Sequence, residues 1–473
     1  MTRRSRNLIA WGLGVLVILA LVLAAWALMP TRTRAIAPAA LPAPGTAELQ
    51  RLVDAGGYVA TASDCIACHT APGGSPFAGG LPLASPIGRI YSTNISPDPE
   101  VGIGRYTLDD FDRAVRHGIA RDGRTLYPAM PYPSYARLSD EDTKALYAFF
   151  MHGVTAVPDP NRDTDIAWPL SMRWPLAIWR KTFAASREHP PRFDAQDYGG
   201  DITVARGAYL VQSAGHCGAC HTPRAVTLQE QALDEGSPLF LAGGALIDGW
   251  LASNLRGDSA SGLGRWRVDD IVATLKTGRN RNHAVVGGAM QDVVVHSTQH
   301  LRDADLTAIA TYLKTLPGSS KAEGQQLAYA HDERTARELE AGKEASVGAR
   351  LYVDNCAACH RTNGLGHADA FPTIAGNPTV LAREPDTLIR LILAGAKLPG
   401  TAERPSPLGM PGFDWRLNDR EVAELASFVR NAWGNRAPEV RTDAVTKLRR
   451  AIKDEDNAAG NNSRRLAGAP EQR

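Results

Sequence analysis

The chain has 473 residues, enough for three to four domains of ordinary size. Its 52 basic and 50 acidic residues nearly balance, so the composition is not that of a nucleic-acid-binding protein. All six cysteines lie in three copies of one pentapeptide, which leaves none for a disulfide, a structural zinc site or a nucleophile.

An uncharged segment, residues 8–29, follows three arginines at the N-terminus. The core of a signal peptide usually has ~7–15 residues, whereas ~20 residues are needed to span the hydrocarbon layer of a membrane. Residues 1–30 are therefore predicted to be a transmembrane signal anchor, with the remainder on the periplasmic side of the inner membrane. Arg32 and Arg34 weaken the charge argument for this orientation, which rests more on the cysteine motifs described next. Cleavage after the small residues at 35–37 is the alternative. Residues 31–45 form an Ala/Pro-rich linker.

Each pentapeptide has the form C-x-x-C-H, which is typical of covalent attachment of c-type haem through two thiols, with the histidine binding the iron. A zinc site would need a second pair of ligands within roughly 20 residues. The motifs begin 152 and 139 residues apart, and a thioredoxin-type motif needs no histidine after its second cysteine. Three covalently bound haem c groups are predicted, held by Cys65, Cys68 and His69, by Cys217, Cys220 and His221, and by Cys356, Cys359 and His360.

Two stretches, 94–130 and 254–290, repeat each other without a gap. Each begins Thr/Ser-Asn, continues through Gly-x-Gly-Arg and Asp-Asp into an apolar-periodic helix and a glycine, and ends at Met after 36 residues. A second repeated element, an amphipathic helix with a cap-forming Ser, Asn or Asp, begins after Leu138, Leu301 and Leu417.

A further short amphipathic run precedes each haem motif. The fold class predicted is all-α, with three tandem class I cytochrome c domains after the N-terminal transmembrane helix. The domains are placed at 46–155, 201–317 and 343–437.

The connecting segments differ in composition. Residues 156–200 are a Pro/Trp-rich connector without periodicity, in which the tryptophans either pack between domains or form a surface for a partner or membrane. Residues 318–342 are predicted to be a helical linker. The tail, 438–473, is predicted to form one basic helix at 445–453 and then to be disordered.

The second axial ligand of each iron decides whether the chain transfers electrons or catalyses a reaction. Met130, Met290 and Met410 stand at the equivalent point of each unit, in Gly/Pro loops between the middle and closing helices. We predict axial pairs His69/Met130, His221/Met290 and His360/Met410, which leave no open iron position. In the second unit His283, His296 and His300 are competing ligands, whereas Met151 and Met172 are expected to be core filler.

Two smaller expectations concern the surroundings of the haems. A proximal histidine usually donates its Nδ1–H to a backbone carbonyl group, and Pro82 and Pro372 are the candidate acceptors, with none named in the second unit. Gly102-x-Gly104 and Gly262-x-Gly264 lack a third glycine and a preceding strand. They are predicted to be tight turns, not dinucleotide-binding loops.

The chain resembles the tri-haem cytochrome c subunit of membrane-bound periplasmic dehydrogenases. The resemblance lies in the first haem motif with Thr-Ala-Pro-Gly-Gly after it, and in Ile-Tyr-Ser-Thr-Asn-Ile, Leu-Tyr-Pro-Ala-Met-Pro-Tyr-Pro-Ser, Gly-His-Cys-Gly-Ala-Cys-His-Thr-Pro-Arg and Ala-Trp-Gly-Asn, which begin at 90, 126, 215 and 432. Such subunits serve quinoprotein alcohol dehydrogenases, flavoprotein gluconate, sorbitol or fructose dehydrogenases and molybdenum aldehyde dehydrogenases.

The resemblance implies electron flow from a separate catalytic subunit, through the haems, to ubiquinone in the membrane. It also implies the three His/Met axial pairs. An N-terminal anchor departs from relatives that hold the membrane by C-terminal amphipathic segments, and favours the aldehyde-dehydrogenase type of complex. The chain itself is then a non-catalytic electron-transfer subunit.

Two other functions remain open at the level of sequence. A self-sufficient haem enzyme, such as a peroxidase, would have one five-coordinate haem. A membrane tether for a dehydrogenase would not account for three haem motifs.

Overall fold

The computed structural model describes residues 3–31, 33–37, 40–184, 193–247, 249–259, 261–280, 285–319, 329–343, 346–368, 370–398 and 400–466. These ranges are rich in helix, which agrees with the helical character of the predicted fold class, and the strands found there pair as two-stranded antiparallel hairpins. The chain forms two compact units, Met1–Ala219 and Cys220–Arg473. The boundary falls within the second C-x-x-C-H motif, in the short helix α9 (Gly218–His221).

The first unit contains the first predicted cytochrome domain and the helix that leads to the second motif. Its elements are α1 (Arg3–Leu28), α2 (Ala47–Ala62), α3 (Cys65–Cys68), β1 (Pro82–Ser85), β2 (Gly88–Tyr91), α4 (Leu108–His117), α5 (Tyr132–Tyr135), α6 (Asp140–His152), α7 (Trp174–Phe183), a 3₁₀ turn (Ala195–Tyr198) and α8 (Ile202–Gln212).

The predicted middle and closing helices of this unit are confirmed as α4 and α6. The side chains of Thr107 and Ser139 accept hydrogen bonds from backbone N–H groups in the first turns of these helices, which satisfies donors that have no partner within the helix. Helix α2 packs closely on α6, since a Cβ atom at Gly56 would lie 1.9 Å from the Ala145 carbonyl oxygen. This contact fixes the helix that runs into the first haem motif.

The N-terminal helix α1 presents large apolar side chains to the surroundings, with Trp11 75% and Leu21 64% exposed. Among the described residues, no helix combines the length and the apolarity needed to cross a membrane.

Helix α7 packs against α1 and was not predicted, because the connector shows no apolar period. The Lys181 ammonium group donates to the Met29 carbonyl oxygen at 2.7 Å, and Arg180 donates to the Thr31 hydroxyl group at 2.8 Å. The tryptophans of the connector have different surroundings: Trp179 packs edge-on against Tyr132, whereas Trp168 is 79% exposed.

The second unit contains the remainder of the second predicted domain and the third. Its elements are β3 (Leu246–Ile247), β4 (Trp250–Leu251), α10 (Val268–Thr277), α11 (Met290–His296), a 3₁₀ turn (Thr298–His300), α12 (Asp303–Thr315), α13 (Arg334–Glu340), α14 (Val347–Asn355), α15 (Ala357–His360), α16 (Pro378–Leu381), α17 (Asp386–Ala394), β5 (Ala396–Lys397), β6 (Gly409–Met410), α18 (Asp419–Asn431) and α19 (Thr442–Leu466).

The predicted middle and closing helices are confirmed here as α10 and α12, and as α17 and α18. The predicted cap residue is correct at Asn418, which forms a reciprocal capping box with Glu421, and wrong before α12. There Arg302 occupies the capping position and its side chain makes no capping hydrogen bond.

A cation near the end of the middle helix joins that helix to the start of the closing helix in both sequence repeats. In each repeat it stands two residues before the glycine that ends the middle helix, and it binds a leucine carbonyl group and the first acid of the closing helix. The bonds are Arg116 to Leu138 O (3.1 Å) and Asp140 (2.9 Å), and Lys276 to Leu301 O (3.2 Å) and Asp303 (3.1 Å).

The third predicted domain has Leu393 at the corresponding position, two residues before Gly395. Arg449 of the C-terminal helix α19 supplies the cation instead, donating to the Leu417 carbonyl oxygen at 2.7 Å and to the Asp419 carboxylate at 2.6 Å. The tail was predicted to form a helix only at 445–453 and then to be disordered. This prediction is wrong in extent, since α19 continues to Leu466.

The core of the third domain is built around Trp433, which is fully buried and packs against Tyr352 at a ring-centroid distance of 4.9 Å. Helix α14 lies close to α18, because a Cβ atom at Gly348 would lie 2.4 Å from the Glu424 carbonyl oxygen. The expected helical linker is confirmed only as α13, and residues 320–328 lie outside the described part of the chain.

Candidate functional site

The first C-x-x-C-H motif begins just after helix α2. Asp64 has a left-handed backbone conformation (φ 51°), which ends the incoming helix and starts the short helix α3. Because residues three apart lie on the same side of a helix, Cys65 and Cys68 can both reach one planar group. His69 follows directly as the residue that ends α3.

Each of the three motif histidines makes the same kind of hydrogen bond, from its Nδ1–H group to a backbone carbonyl oxygen. His69 Nδ1 donates to the Thr93 carbonyl oxygen at 2.7 Å, and His221 Nδ1 donates to that of Ser253 at 2.7 Å. His360 Nδ1 donates to the Pro372 carbonyl oxygen at 3.0 Å, as predicted. The prediction of Pro82 was wrong, because the acceptor in the first unit lies beyond the β1–β2 hairpin.

This hydrogen bond decides which nitrogen is available for a metal. Burial lowers the pKa of His69, His221 and His360 below the ordinary histidine value, so each imidazole is neutral near pH 7. With the proton held on Nδ1, the lone pair is on Nε2, the atom that binds a metal. The arrangement is that of a histidine prepared to bind iron.

The Thr-Asn and Ser-Asn pairs of the sequence repeat position these acceptors. The Oδ1 atoms of Asn94 and Asn254 accept from the backbone N–H groups two residues further on, at 2.9 and 2.8 Å, and so turn the chain directly after each acceptor. Gly79 lies close to the backbone of Thr93, since a Cβ atom at Gly79 would be 2.4 Å from the Thr93 carbonyl carbon. The Thr-Asn and Ser-Asn pairs of the sequence repeat were the signal for these two acceptors, whereas the spacing of proline residues indicated Pro82 in the first unit.

The predicted ligand Met130 is half-buried in the turn between α4 and α5. The hydroxyl groups of Tyr127 and Tyr132, on either side of it in the sequence, are buried and have no hydrogen-bond partner among the described residues. Buried hydroxyl groups normally have a partner. These two hydroxyl groups, within three residues of Met130 in the sequence, leave polar atoms that a bound cofactor can satisfy.

The predicted ligand Met290 is the first residue of α11 and is half-buried. The loop in front of it lies against Trp250, because a Cβ atom at Gly288 would be 2.4 Å from the indole ring. Of the competing histidines, His296 and His300 are exposed, and the His300 Nε2–H group donates to the Val295 carbonyl oxygen at 3.0 Å. His283 lies outside the described residues.

The third motif is held by hydrogen bonds from the core of its own domain. The Trp433 indole N–H donates to the Thr362 carbonyl oxygen at 2.7 Å, and the Tyr352 hydroxyl group donates to that of Arg361 at 2.6 Å, both just after His360. Met410 lies on strand β6, paired with Ala396 of β5 directly after the middle helix.

Two of the six motif thiols, those of Cys65 and Cys356, are unsuited to nucleophilic chemistry. Burial, followed by the negative charges of Asp64 and Cys68, raises the pKa of Cys65 to about 12, and burial raises that of Cys356 to about 12. A reactive cysteine needs a lowered pKa, because the thiolate is the nucleophile. The donor set therefore fits covalent haem better than a catalytic thiol.

The glycine pairs of the sequence repeat are tight turns, as predicted. Cβ atoms at Gly102 and Gly104 would lie 2.2 and 2.3 Å from the carbonyl oxygens of Ser96 and Pro97, and Gly262 has the same relation to Arg256 at 2.4 Å. Close packing against the protein's own backbone explains these glycines without a nucleotide.

Comparison with known proteins agrees with this chemistry. The family model described as Cytochrome c matches residues 345–433, and a cytochrome c domain carries covalently bound haem c. The gluconate 2-dehydrogenase cytochrome c subunit of Pantoea cypripedii is 54% identical over 391 residues, which cover 82% of this chain and 86% of that protein.

Two further relatives have similar coverage. The alcohol dehydrogenase (quinone) cytochrome c subunit of Gluconobacter oxydans is 52% identical over 402 residues, covering 85% of this chain and 82% of that protein. The fructose dehydrogenase cytochrome subunit of Gluconobacter japonicus is 39% identical over 415 residues, covering 84% and 82%. The chain belongs to the family of cytochrome c subunits of gluconate, alcohol and fructose dehydrogenases.

Proposed function

We propose that this protein is the electron-transfer subunit of a membrane-bound dehydrogenase complex and carries three haem c groups. The observation that supports this most is the threefold repetition of one local structure. Each C-x-x-C-H motif ends in a half-buried histidine whose Nδ1–H is committed to a backbone carbonyl group, at 2.7, 2.7 and 3.0 Å. Three haems, in three tandem cytochrome c domains, account for all six cysteines.

The axial pairs proposed are His69/Met130, His221/Met290 and His360/Met410. Haem iron held in this way supplies reversible one-electron chemistry at a raised potential, with no coordination position left for a substrate. The protein's part is to orient each imidazole through its Nδ1–H hydrogen bond and to keep it neutral. The exposure of His296 and His300 favours Met290 in the second site.

The electron donor is proposed to be a separate catalytic subunit and the acceptor to be ubiquinone. The relatives support this through their own descriptions, which place them in gluconate, alcohol and fructose dehydrogenases and, for the alcohol dehydrogenase subunits, name a quinone. The chain contributes no catalytic group of its own in this proposal.

Attachment to the periplasmic face of the inner membrane is proposed through residues 1–30. The uncharged run at 8–29 and the exposed apolar side chains of α1 support it. Helix α7 lies beside the end of α1 and carries Trp174, 42% exposed, while Trp168 just before α7 is 79% exposed. Exposed tryptophan is common at the membrane–water interface. Extraction of native membranes with high salt and then with detergent tests it, and release by salt alone would contradict an anchor.

The function itself is tested by purifying the protein with its associated proteins from native membranes in mild detergent. We expect a dehydrogenase subunit to copurify, its substrate to reduce the haems, and added ubiquinone to reoxidise them. Rapid binding of peroxide or cyanide by one haem would instead favour the alternative, a self-sufficient peroxidase-like enzyme. Reduction of the haems by substrate without any copurifying protein would also contradict the proposal.

A further inference from the structure

Within the first unit, the residues that precede the first and second haem motifs are in contact. Ser63 stands two residues before Cys65, and His216 stands directly before Cys217. The His216 Nε2–H group donates to the Ser63 carbonyl oxygen at 3.3 Å, although 153 residues separate the two in sequence. Two attachment points that are remote in the chain are therefore joined by one hydrogen bond.

The surroundings hold this contact in place. The Tyr135 hydroxyl group donates to the same carbonyl oxygen at 3.0 Å, and its ring packs edge-on against the His216 imidazole at a centroid distance of 5.4 Å. Ser63 is buried, 2% exposed. His216 has a left-handed backbone conformation (φ 34°), which is unfavourable for a non-glycine residue unless the surrounding structure imposes it.

The chemistry of the two partners defines the hydrogen bond. A carbonyl oxygen can only accept, so the imidazole proton lies on Nε2. Burial lowers the pKa of His216, which keeps the ring neutral near pH 7. The route from Cys65 to Cys217 then consists of covalent bonds along two short backbone segments and one imidazole, interrupted by a single hydrogen bond.

The rate of electron tunnelling falls less steeply with distance along covalent and hydrogen bonds than across a gap between atoms. We propose that His216 is a positioning residue that couples the first haem site to the second through its hydrogen bond to Ser63. This inference rests on the proposed function, because it requires haem at both motifs. The transfer moves one electron, so that a ferrous iron at one motif becomes ferric and a ferric iron at the other becomes ferrous. No bond forms or breaks and no proton moves.

The test compares variants at this contact in the full chain carrying its haems. His216→Phe keeps a ring against Tyr135 and removes the donor. His216→Gln and His216→Asn both keep an amide donor, but only glutamine is long enough to approach the Ser63 oxygen. Tyr135→Phe is the matched control, because it removes the other hydrogen bond to the same oxygen, and that bond does not lead to Cys217.

The measurements are the rate of electron redistribution after pulsed reduction, followed by rapid-freeze EPR, and the midpoint potentials from a spectroelectrochemical titration. We expect a several-fold slower redistribution in His216→Phe and His216→Asn, near-normal rates in His216→Gln and Tyr135→Phe, and unchanged midpoint potentials throughout. If His216→Phe does not fold, the Gln and Asn pair decides the question.

Two results would overturn the inference. One is an unchanged rate in His216→Asn or His216→Phe. The other is a slower rate in Tyr135→Phe of the same size, accompanied by shifted potentials, since that would indicate a general structural role. Both leave the proposed function intact as long as the same samples contain three haems, whereas a missing haem at either motif would contradict the proposed function itself.

Discussion

Arg449 of the last helix donates to the Leu417 carbonyl oxygen at 2.7 Å, so the C-terminal tail completes the third domain. In the two sequence repeats a cation of the middle helix makes the equivalent bond. In the third domain Leu393 stands at the position of that cation. Arg449, 56 residues further along the chain, makes the bond instead. The tail is therefore an integral part of the fold around the third haem motif.

Removal of this cation should destabilise the third domain. Arg449→Ala is expected to cost about 1–3 kcal/mol of unfolding free energy, because it leaves a carbonyl group and a carboxylate without their charged donor. Arg450→Ala is the control, since Arg450 is exposed on the same helix. Urea unfolding followed by the haem circular dichroism measures both, and equal effects of the two substitutions would refute this role of Arg449.

The same contact predicts a dependence of stability on pH. Burial by itself raises the pKa of Asp419, but hydrogen bonds from Thr446 and Arg449 lower it overall below the ordinary value of 3.8. The folded carboxylate thus binds a proton less readily than the unfolded one. Its contribution is fully present above the unfolded pKa and is lost as the pH falls through the folded pKa.

We therefore expect the difference in unfolding free energy between the native protein and Asp419→Asn to be constant near neutral pH. It should shrink below about pH 5. Urea unfolding at a series of pH values gives this difference directly. A difference that stays constant down to the acid limit of folding would contradict the assigned pKa shift.

Substitution of the second predicted thioether ligand should change one haem only. Met290→Leu is expected to convert that haem from low-spin to high-spin and to lower its potential, because iron would lose a ligand that favours the reduced state. Met151→Leu, on the closing helix α6, should leave the optical and EPR spectra unchanged. If Met290→Leu also leaves the spectra unchanged, the ligand is one of the histidines at 283, 296 or 300.

Gly79→Ala should disturb the first haem site through the acceptor of His69. Both Gly79 (φ 75°) and Gly123 (φ 84°) have a left-handed conformation, so alanine at either position costs about 1 kcal/mol of backbone strain. Only at Gly79 would the new Cβ atom collide with the Thr93 backbone, whereas nothing lies within 4 Å at Gly123. We expect a shifted midpoint potential for the first haem in Gly79→Ala alone, and an equal shift in Gly123→Ala would contradict this mechanism.

The parts of the fold that could be predicted from sequence are those with local causes. The middle and closing helices begin at caps such as Ser139 and Asn418 and carry apolar stripes, so their positions follow from nearby residues. Helix α7 escaped prediction because its pattern is irregular, although Pro175 in its first turn is compatible with a helix start.

The parts that could not be predicted depend on contacts between distant residues. The acceptor for His360 lies 12 residues away, within reach of a spacing argument, whereas the acceptor for His69 lies 24 residues away, beyond a hairpin. The replacement of a middle-helix cation by Arg449, and the contact of His216 with Ser63, have no local signal at all. Met130 lies in a turn, whereas Met290 begins helix α11 and Met410 lies on strand β6, and the axial pairs stay a prediction.

The most direct test of the relay is a low-temperature EPR spectrum of the oxidised protein with the spins counted per chain. Three low-spin ferric signals and no high-spin signal are expected, since every iron should sit between an imidazole and a thioether. A stoichiometric high-spin signal, or fewer than three ferric haems in the fully assembled chain, would contradict it.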